Sequence, residues 1–316
     1  MARSGKTKKP SPKRPAPAAA VLVVGTVALD TIETPHGKAQ DVLGGSATHF
    51  ALAARPFAPV RLVGVVGRDF PREHEDRLRS LGIDLSGLEH ADGLTFRWHG
   101  RFVGDMNRAE TVSVHLNVFE TFQPKIPAAL ASTPYVLLGN SSPRTQKAVL
   151  DQLRGPKFVM LDTMNHWIGS ERPALLELLP RVNAICVNFE EALQLAGESS
   201  GARAIRRLRE LGARAVVVKR GEHGATLSAD DFIFSVPSFP TERVIDPTGA
   251  GDSFAGGLLG FLARSGKGVS SLRRALLYGT VMGSFAVEGF GTTRLQEITR
   301  AEVETRAAKL KDMITV

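Results

Sequence analysis

Short runs of β-branched and other apolar residues recur along this chain and most tightly limit its fold. They are VLVVGTV (21–27), VRLVGVVG (60–67), YVLLG (135–139), KFVMLD (157–162), AICVN (184–188) and AVVVK (215–219). Stretches of helical period separate many of them. GGSATHFALAARPF (44–57) opens on a glycine pair and turns helical, and PREHEDRLRSLG (71–82) reads as an amphipathic helix closed by Gly82. Strands apolar on both faces must be covered on both faces. The pattern therefore predicts an α/β fold of three α/β/α layers around a mainly parallel central sheet.

Two segments break the rhythm. Residues 94–118 alternate with period two around a Gly104-Asp105 turn, which predicts antiparallel strands and a flap rather than a crossover unit. Residues 215–236 read as a second hairpin region, turning near Gly221–Gly224 and again near Ala229–Asp231. The body is expected to be one domain over 21–305, with a C-terminal segment at 306–316. Aromatic residues make up only 6% of the chain, which argues against a base-stacking nucleic-acid surface. The single cysteine, Cys186, permits no internal disulfide, and its apolar strand setting suits a reducing compartment, the cytoplasm.

Of the net charge of +8, six positive charges lie in residues 1–20, which contain no acid. This Pro/Ala/Lys tail lacks the apolar surface to order itself and is expected to be a disordered, solvated extension. A polyanion-binding arm is its other reading. The apolar stretch that follows is short, broken by Gly25 and ended by Asp30, so it fits neither a signal peptide nor a membrane span.

The string VIDPTGAGDSF (244–254) carries the chemistry. Pro247 fixes a turn, while Gly249 and Gly251 allow a tight bend and close approach by a ligand. The following SFAGGLLGFLAR is helix-like, so Ala250, Gly251 and Asp252 belong at its first turn. Unpaired amides and the positive end of the helix dipole make an anion site there. An aspartate beside such a site can take a proton from an attacking hydroxyl while the amides stabilise a phosphoryl group in transit. A glycine-rich turn with a capping aspartate is the plainer alternative, but the string is long and specific. It is not a dinucleotide fingerprint, for it reads GxGxxF and no acid lies between Asp252 and Glu288. No GxxxxGK[ST] loop occurs either.

DPTGAGDSFAGG closely resembles the C-terminal signature of the PfkB or ribokinase-like carbohydrate kinases, and further features extend the resemblance over about residues 21–300. It implies a ribokinase-like fold with a small β-strand lid from about 31–43 and 94–118. It implies Asp252 as catalytic base, and Gly249, Ala250 and Gly251 as the anion hole for the γ-phosphate of ATP. Asn188 and Glu191 of NFEE match the family's Asn-x-x-Glu and would organise Mg²⁺ and its waters. Lys219 and Gly221 of VVVKRGEHGA, with Thr248, would lie along the nucleotide phosphates. Asp246 and the backbone near Thr248 resemble a site for a monovalent cation such as K⁺.

Asp30, closing VVGTVALD, and the pair Gly44-Gly45 match substrate contacts, and Asn165 in LDTMNHW could reach substrate or phosphate. The chain departs from the family at His49, which stands where an asparagine is usual. Arg97, Trp98 and Asn107 are lid residues without an assignable role, and EGFGTTR (288–294) resembles the loop near the nucleotide base.

The expected function is therefore ATP-dependent phosphorylation of a hydroxymethyl group on a sugar or nucleoside, with a homodimer through the lid as a further expectation. A narrower alternative is a nucleoside kinase of adenosine-like specificity. A different class is a silent sugar or nucleotide sensor on the same fold, against which Gly249, Gly251 and Asp252 are all intact. Nucleic-acid binding is motivated by the tail alone, and no membrane is expected as a partner.

Overall fold

The computed structural model describes residues 18–266 and 268–315. Nine strands form the main sheet: β1 (Val21–Val24), β4 (Val60–Val66), β5 (Ile83–His90), β8 (Tyr135–Leu138), β9 (Phe158–Asp162), β10 (Ala184–Asn188), β11 (Ala215–Lys219), β12 (Ala225–Ala229) and β13 (Phe232–Val236). Their order is β13-β12-β11-β10-β9-β8-β1-β4-β5. Pairing is parallel from β5 through to β11 and antiparallel across β11, β12 and β13. A smaller sheet, ordered β3-β2-β6-β7, holds β2 (Ala28–Thr34), β3 (Gly37–Gly44), β6 (Phe96–Phe102) and β7 (Ala109–His115).

Side-chain alternation explains the three layers. Val21 and Val23 of β1 join one buried cluster with helices Ser46–Ala54, Ala250–Ser265 and Val269–Ala286. Leu22 and Val24 join a second cluster with helices Pro143–Gln152, Phe189–Ala196 and Gly201–Glu210. Each strand thus feeds a core on both faces, which is why its sequence is apolar throughout. Cys186 is buried in β10. The chain order reverses at β1, which pairs with β4 on one side and β8 on the other. Beyond the carboxyl ends of such strands a parallel sheet opens its ligand crevice.

The expected strand at 21–27 ends at Val24, because the chain turns at Gly25 and Thr26 before entering the small sheet at Ala28. The turn is held by Thr26 and Ser46: Ser46 N–H donates to Thr26 Oγ1 at 2.9 Å and Thr26 N–H to Ser46 Oγ at 3.3 Å. Edge strand β5 went unread since its outward residues are polar and only Ile83, Leu85 and Gly87 face inward. The glycine helix begins at Ala250, ahead of Ser253. A single helix, Arg300–Ile314, runs through residue 305, so the boundary expected there falls inside an element. Most of the expected tail, residues 1–17, lies outside the described residues, while Ala18 and Ala19 pack against the core and Ala19 N–H donates to Ala263 O at 3.1 Å. Among the described residues no helix is long and apolar enough to cross a membrane.

Close packing sets the position of helix Ala250–Ser265. A Cβ on Gly256 would overlap the Phe50 carbonyl and stand 2.9 Å from Ala53 Cβ, and one on Gly260 would lie 3.0 Å from Ala54 Cα. Gly283, by contrast, has only ordinary contacts, the nearest at 3.4 Å. Gly256→Ala is therefore expected to destabilise the fold by ~2 kcal/mol through overpacking. Gly283→Ala, in a helix interior, is expected to stabilise it by up to ~1 kcal/mol. Denaturant unfolding of the two variants beside wild type reads both signs.

Candidate active site

The turn before helix Ala250–Ser265 is built as the sequence suggests. Gly249 is the N-cap with φ +70°, a left-handed conformation that a side chain resists, and Asp252 occupies the first turn. Ala250 N–H donates to Pro247 O at 3.2 Å, so this amide is engaged. Those of Gly249 and Gly251 have no backbone acceptor among the described residues. The open donors of the loop are thus the two glycine amides, and Ala250 supplies shape rather than a donor.

Three adjacent strands end opposite this turn. Asp162 closes β9, Asn188 closes β10 and Lys219 closes β11, with Asn188 paired to Lys219 in register. Asn188 caps helix Phe189–Ala196 in a capping box: Glu191 N–H donates to Asn188 Oδ1 and Asn188 N–H to Glu191 Oε2, both at 2.8 Å. That reciprocal cap fixes the Glu191 carboxylate at the strand end. Lys219 Nζ lies 3.5 Å from Asp162 Oδ1, and a Cβ on Gly251 would stand 3.0 Å from the same ammonium. The cation therefore lies against Gly251.

Electrostatics at this point are unbalanced. Burial pushes the Glu191 carboxyl up to about 7, with Lys219 opposing and Asp162 reinforcing the shift. Burial also raises Asp252 to about 7, aided by Asp162 and resisted by Lys219. Asp162 is raised by burial as well. Burial alone would discharge Lys219, but Asp162, Glu191 and Asp252 outweigh it and hold the ammonium above its ordinary range. Three carboxylates share one cation.

Asp30 lies against the glycine pair Gly44-Gly45. It is buried in β2 and pushed up to about 7, chiefly by burial, with the Gly45 N–H lowering it and Asp246 and Asp252 raising it. Gly44 is required here because a Cβ would overlap the Asp30 carboxylate. Gly45, at φ +92°, would clash with Thr26 O. Asp246 is fully buried, accepting from Thr248 N–H at 2.8 Å and Gly291 N–H at 2.7 Å. Burial raises its carboxyl, the Thr248 side chain and the Gly291 and Thr248 amides lower it, and it has no cationic side-chain partner among the described residues. Gly221, at φ +55°, opens a short turn just after Lys219.

Two residues stand differently from expectation. Asn165 is exposed at the start of helix Asn165–Ser170, and it is Asp162 of the same segment that meets Lys219. Asp162 was missed, although a carboxylate closing the apolar run KFVMLD is the same signal that marked Asn188 and Lys219. His49 lies beneath the glycine turn and not in an open pocket: a Cβ on Gly249 would overlap its ring, and the residue is 1% exposed. Neither ring nitrogen has a hydrogen-bond partner.

Burial lowers the His49 pKa to about 4, from 6.5 for the free side chain. The unfolded chain then takes up a proton that the folded chain refuses, so this residue costs stability as pH falls from 6.5 towards 4. At ~1.4 kcal/mol per unit the loss approaches about 3 kcal/mol. His49→Asn is expected to remove that dependence, and the difference in unfolding free energy between variant and wild type should grow in the variant's favour from pH 7 to 4. A constant difference would mean that the ring is solvated.

The sequence matches the pfkB family carbohydrate kinase model over residues 19–299. It is 32% identical over 251 residues to a cytidine kinase of Thermococcus kodakarensis, covering 77% of this chain and 88% of that protein. A nucleoside kinase of Methanothermobacter thermautotrophicus is 36% identical over 292 residues, covering 86% of this chain and 90% of that one. In fold the chain is similar to a putative ribokinase II from E. coli solved with ATP and Mg²⁺, with a TM-score of 0.77, 22% identity, and coverage of 92% of this chain and 99% of that one. The chain belongs to the pfkB family of carbohydrate kinases and is a phosphotransferase with an alcohol acceptor.

Proposed function

We propose that this protein is a nucleoside kinase that moves the γ-phosphate of ATP to the hydroxymethyl group of a nucleoside. The observation that carries the reading is the placement of Asp252 in the first turn of helix Ala250–Ser265, behind a turn whose Gly249 and Gly251 amides have no backbone acceptor, with Asp30 within electrostatic reach. The nucleoside acceptor is favoured over a free sugar by the cytidine and nucleoside kinases among the relatives.

In this mechanism Asp30 and the glycine pair Gly44-Gly45 hold the sugar hydroxyls and aim the hydroxymethyl oxygen at Asp252. Asp252 accepts the proton late, as the phosphoryl group is already leaving the nucleotide, so a carboxylate is base enough. The amides of Gly249 and Gly251, at the positive end of the helix dipole, stabilise the equatorial oxygens. Lys219 lies where it balances charge on the phosphates, and Asp162 holds it there. Gly221 allows the nucleotide to approach the end of β11.

The residues present fit a divalent cation. Asp162, Glu191 and Asp252 bring more negative charge than Lys219 balances, and all offer hard oxygen donors. Among the described residues no cluster of three or more His, Cys, Asp or Glu forms a ready-made metal cage, so waters and phosphates would complete the shell around Glu191 and Asn188. Mg²⁺ there would supply charge neutralisation for the transferring group. A monovalent cation such as K⁺ fits Asp246, a buried carboxylate with no cationic side-chain partner among the described residues.

We further propose that the kinase works in the cytoplasm, with a catalytic domain that begins near residue 21 and includes the whole of helix Arg300–Ile314. A homodimer through the lid is supported by β7, an unpaired edge strand that exposes Val112.

Asp252→Asn tests the central assignment. The variant is expected to bind nucleotide with near wild-type affinity and to lose turnover by a factor of 10³ or more, on the order of 4 kcal/mol in the barrier. ADP release measured across nucleosides, pentoses, hexoses and inositols, with this variant as control, reads both base and acceptor class. Near-normal turnover by the variant would remove the base.

A further inference from the structure

The register of the small sheet brings four side chains into one row. Asp30 pairs with Val42 on one side and Trp98 on the other, and Trp98 pairs with Val114. Directly paired residues on neighbouring strands project from the same face, about 5 Å apart. Asp30 accepts from Gly45 N–H and lies in the field of Asp252. The face bearing the row is therefore the one that covers the acceptor position, with Trp98 the next residue along from the carboxylate.

The indole is held ready from within the lid. It lies flat across Gly100, where a Cβ would overlap the six-membered ring. Nε1–H donates to Thr111 Oγ1 at 3.2 Å, and Phe102 meets the ring edge-on with centroids 6.5 Å apart. One face of the ring is thus taken by Gly100 while the other turns away from the sheet, and Trp98 is only part-buried. A large aromatic surface, fixed in orientation and left uncovered beside a buried carboxylate, needs an occupant that is polar at one end and flat and apolar at the other.

We infer that Trp98 is the platform on which the planar base of the acceptor stacks, with Val114 extending the apolar surface and Asp30 taking sugar hydroxyls of the same molecule. The inference rests on the nucleoside reading above and makes it specific: Trp98 is a specificity-determining residue that distinguishes a nucleoside from a free pentose. A pentose satisfies Asp30 and leaves the indole bare. A nucleoside covers both, because its base lies beyond the sugar by about one strand spacing.

The chain contains two tryptophans, Trp98 and Trp167, so emission can be assigned by substitution. Cytidine and inosine titrated into the full chain are expected to quench indole fluorescence, and D-ribose is not. Trp167→Phe should retain the quench and Trp98→Leu should abolish it. In turnover, Trp98→Leu is expected to raise KM for nucleosides about tenfold with kcat within about threefold, the range of one base–aromatic stack. Trp98→Phe, which keeps an aromatic face, should recover most of that loss. Thermal unfolding of each variant separates a binding effect from a damaged lid.

Unchanged nucleoside KM in a folded Trp98→Leu protein overturns the assignment, as does a quench that follows Trp167. A wild-type chain that phosphorylates free sugars in preference to nucleosides sinks the nucleoside reading itself. That outcome is visible before any variant is made.

Discussion

One ammonium among three carboxylates is the constraint around which this site is arranged. Lys219 Nζ stands at the end of β11 with Asp162, Glu191 and Asp252 about it and Gly251 against it. Breaking such a buried pair by removing one partner leaves an uncompensated charge, so each member holds the others in place. The same imbalance limits what can bind. A nucleotide brings further negative charge to a pocket already rich in it, and only the glycine amides, Lys219 and an added cation can offset that charge.

Those amides stay in place because of packing well below them. Helix Ala250–Ser265 approaches helix Ser46–Ala54 through Gly256 and Gly260, and it approaches helix Val269–Ala286 through Gly257, where a Cβ would stand 2.5 Å from Met282 Cγ. The glycines after Asp252 therefore serve the placement of the helix start, not flexibility. His49 completes the arrangement as the floor under Gly249. Its two nitrogens gain nothing from hydrogen bonds in this position, so its contribution is shape. An asparagine, the usual family residue here, would offer less surface to the turn. The departure at this position therefore falls on the support of the glycine turn.

The parts of this fold that were legible in the sequence are those where a single period prevails. AICVN and AVVVK become strands with the boundaries their apolar runs suggest, because both faces are buried and nothing polar blurs the ends. The small sheet was legible in outline, since alternation at 94–118 has no helical reading. β5 was not, because one of its faces is exposed and its charged residues imitate a loop. In the site, local motifs were read and spatial ones were not. The DPTGAGD turn and the Asn188–Glu191 cap are contiguous, so composition and spacing reveal them. The Asp162–Lys219 pair joins residues far apart in the chain, and nothing in TMNHW says that its own asparagine faces outward. The Asp30–Trp98 row is likewise a property of strand register, which no linear motif encodes.

That register also links the two halves of the reaction. Arg97, on the opposite face of β6 from Trp98, ties the small sheet to the body through Asp69, at 2.8 Å, and pairs with Asp41 of β3 within that sheet. At the far end of the same hairpin Asn107 donates to Glu222, one residue beyond Gly221, at 3.4 Å, and Arg108 pairs with Glu190 beside Asn188. The hairpin therefore touches, at its tip, the segments that follow β10 and β11. Those tip contacts are exposed and individually weak. The lid is fixed at its root and lightly held at its end, an arrangement that lets the tip move without loss of the Asp30–Trp98 register. Water competes with the acceptor hydroxyl for the phosphoryl group, and a cover that spans both subsites excludes it best when both are filled.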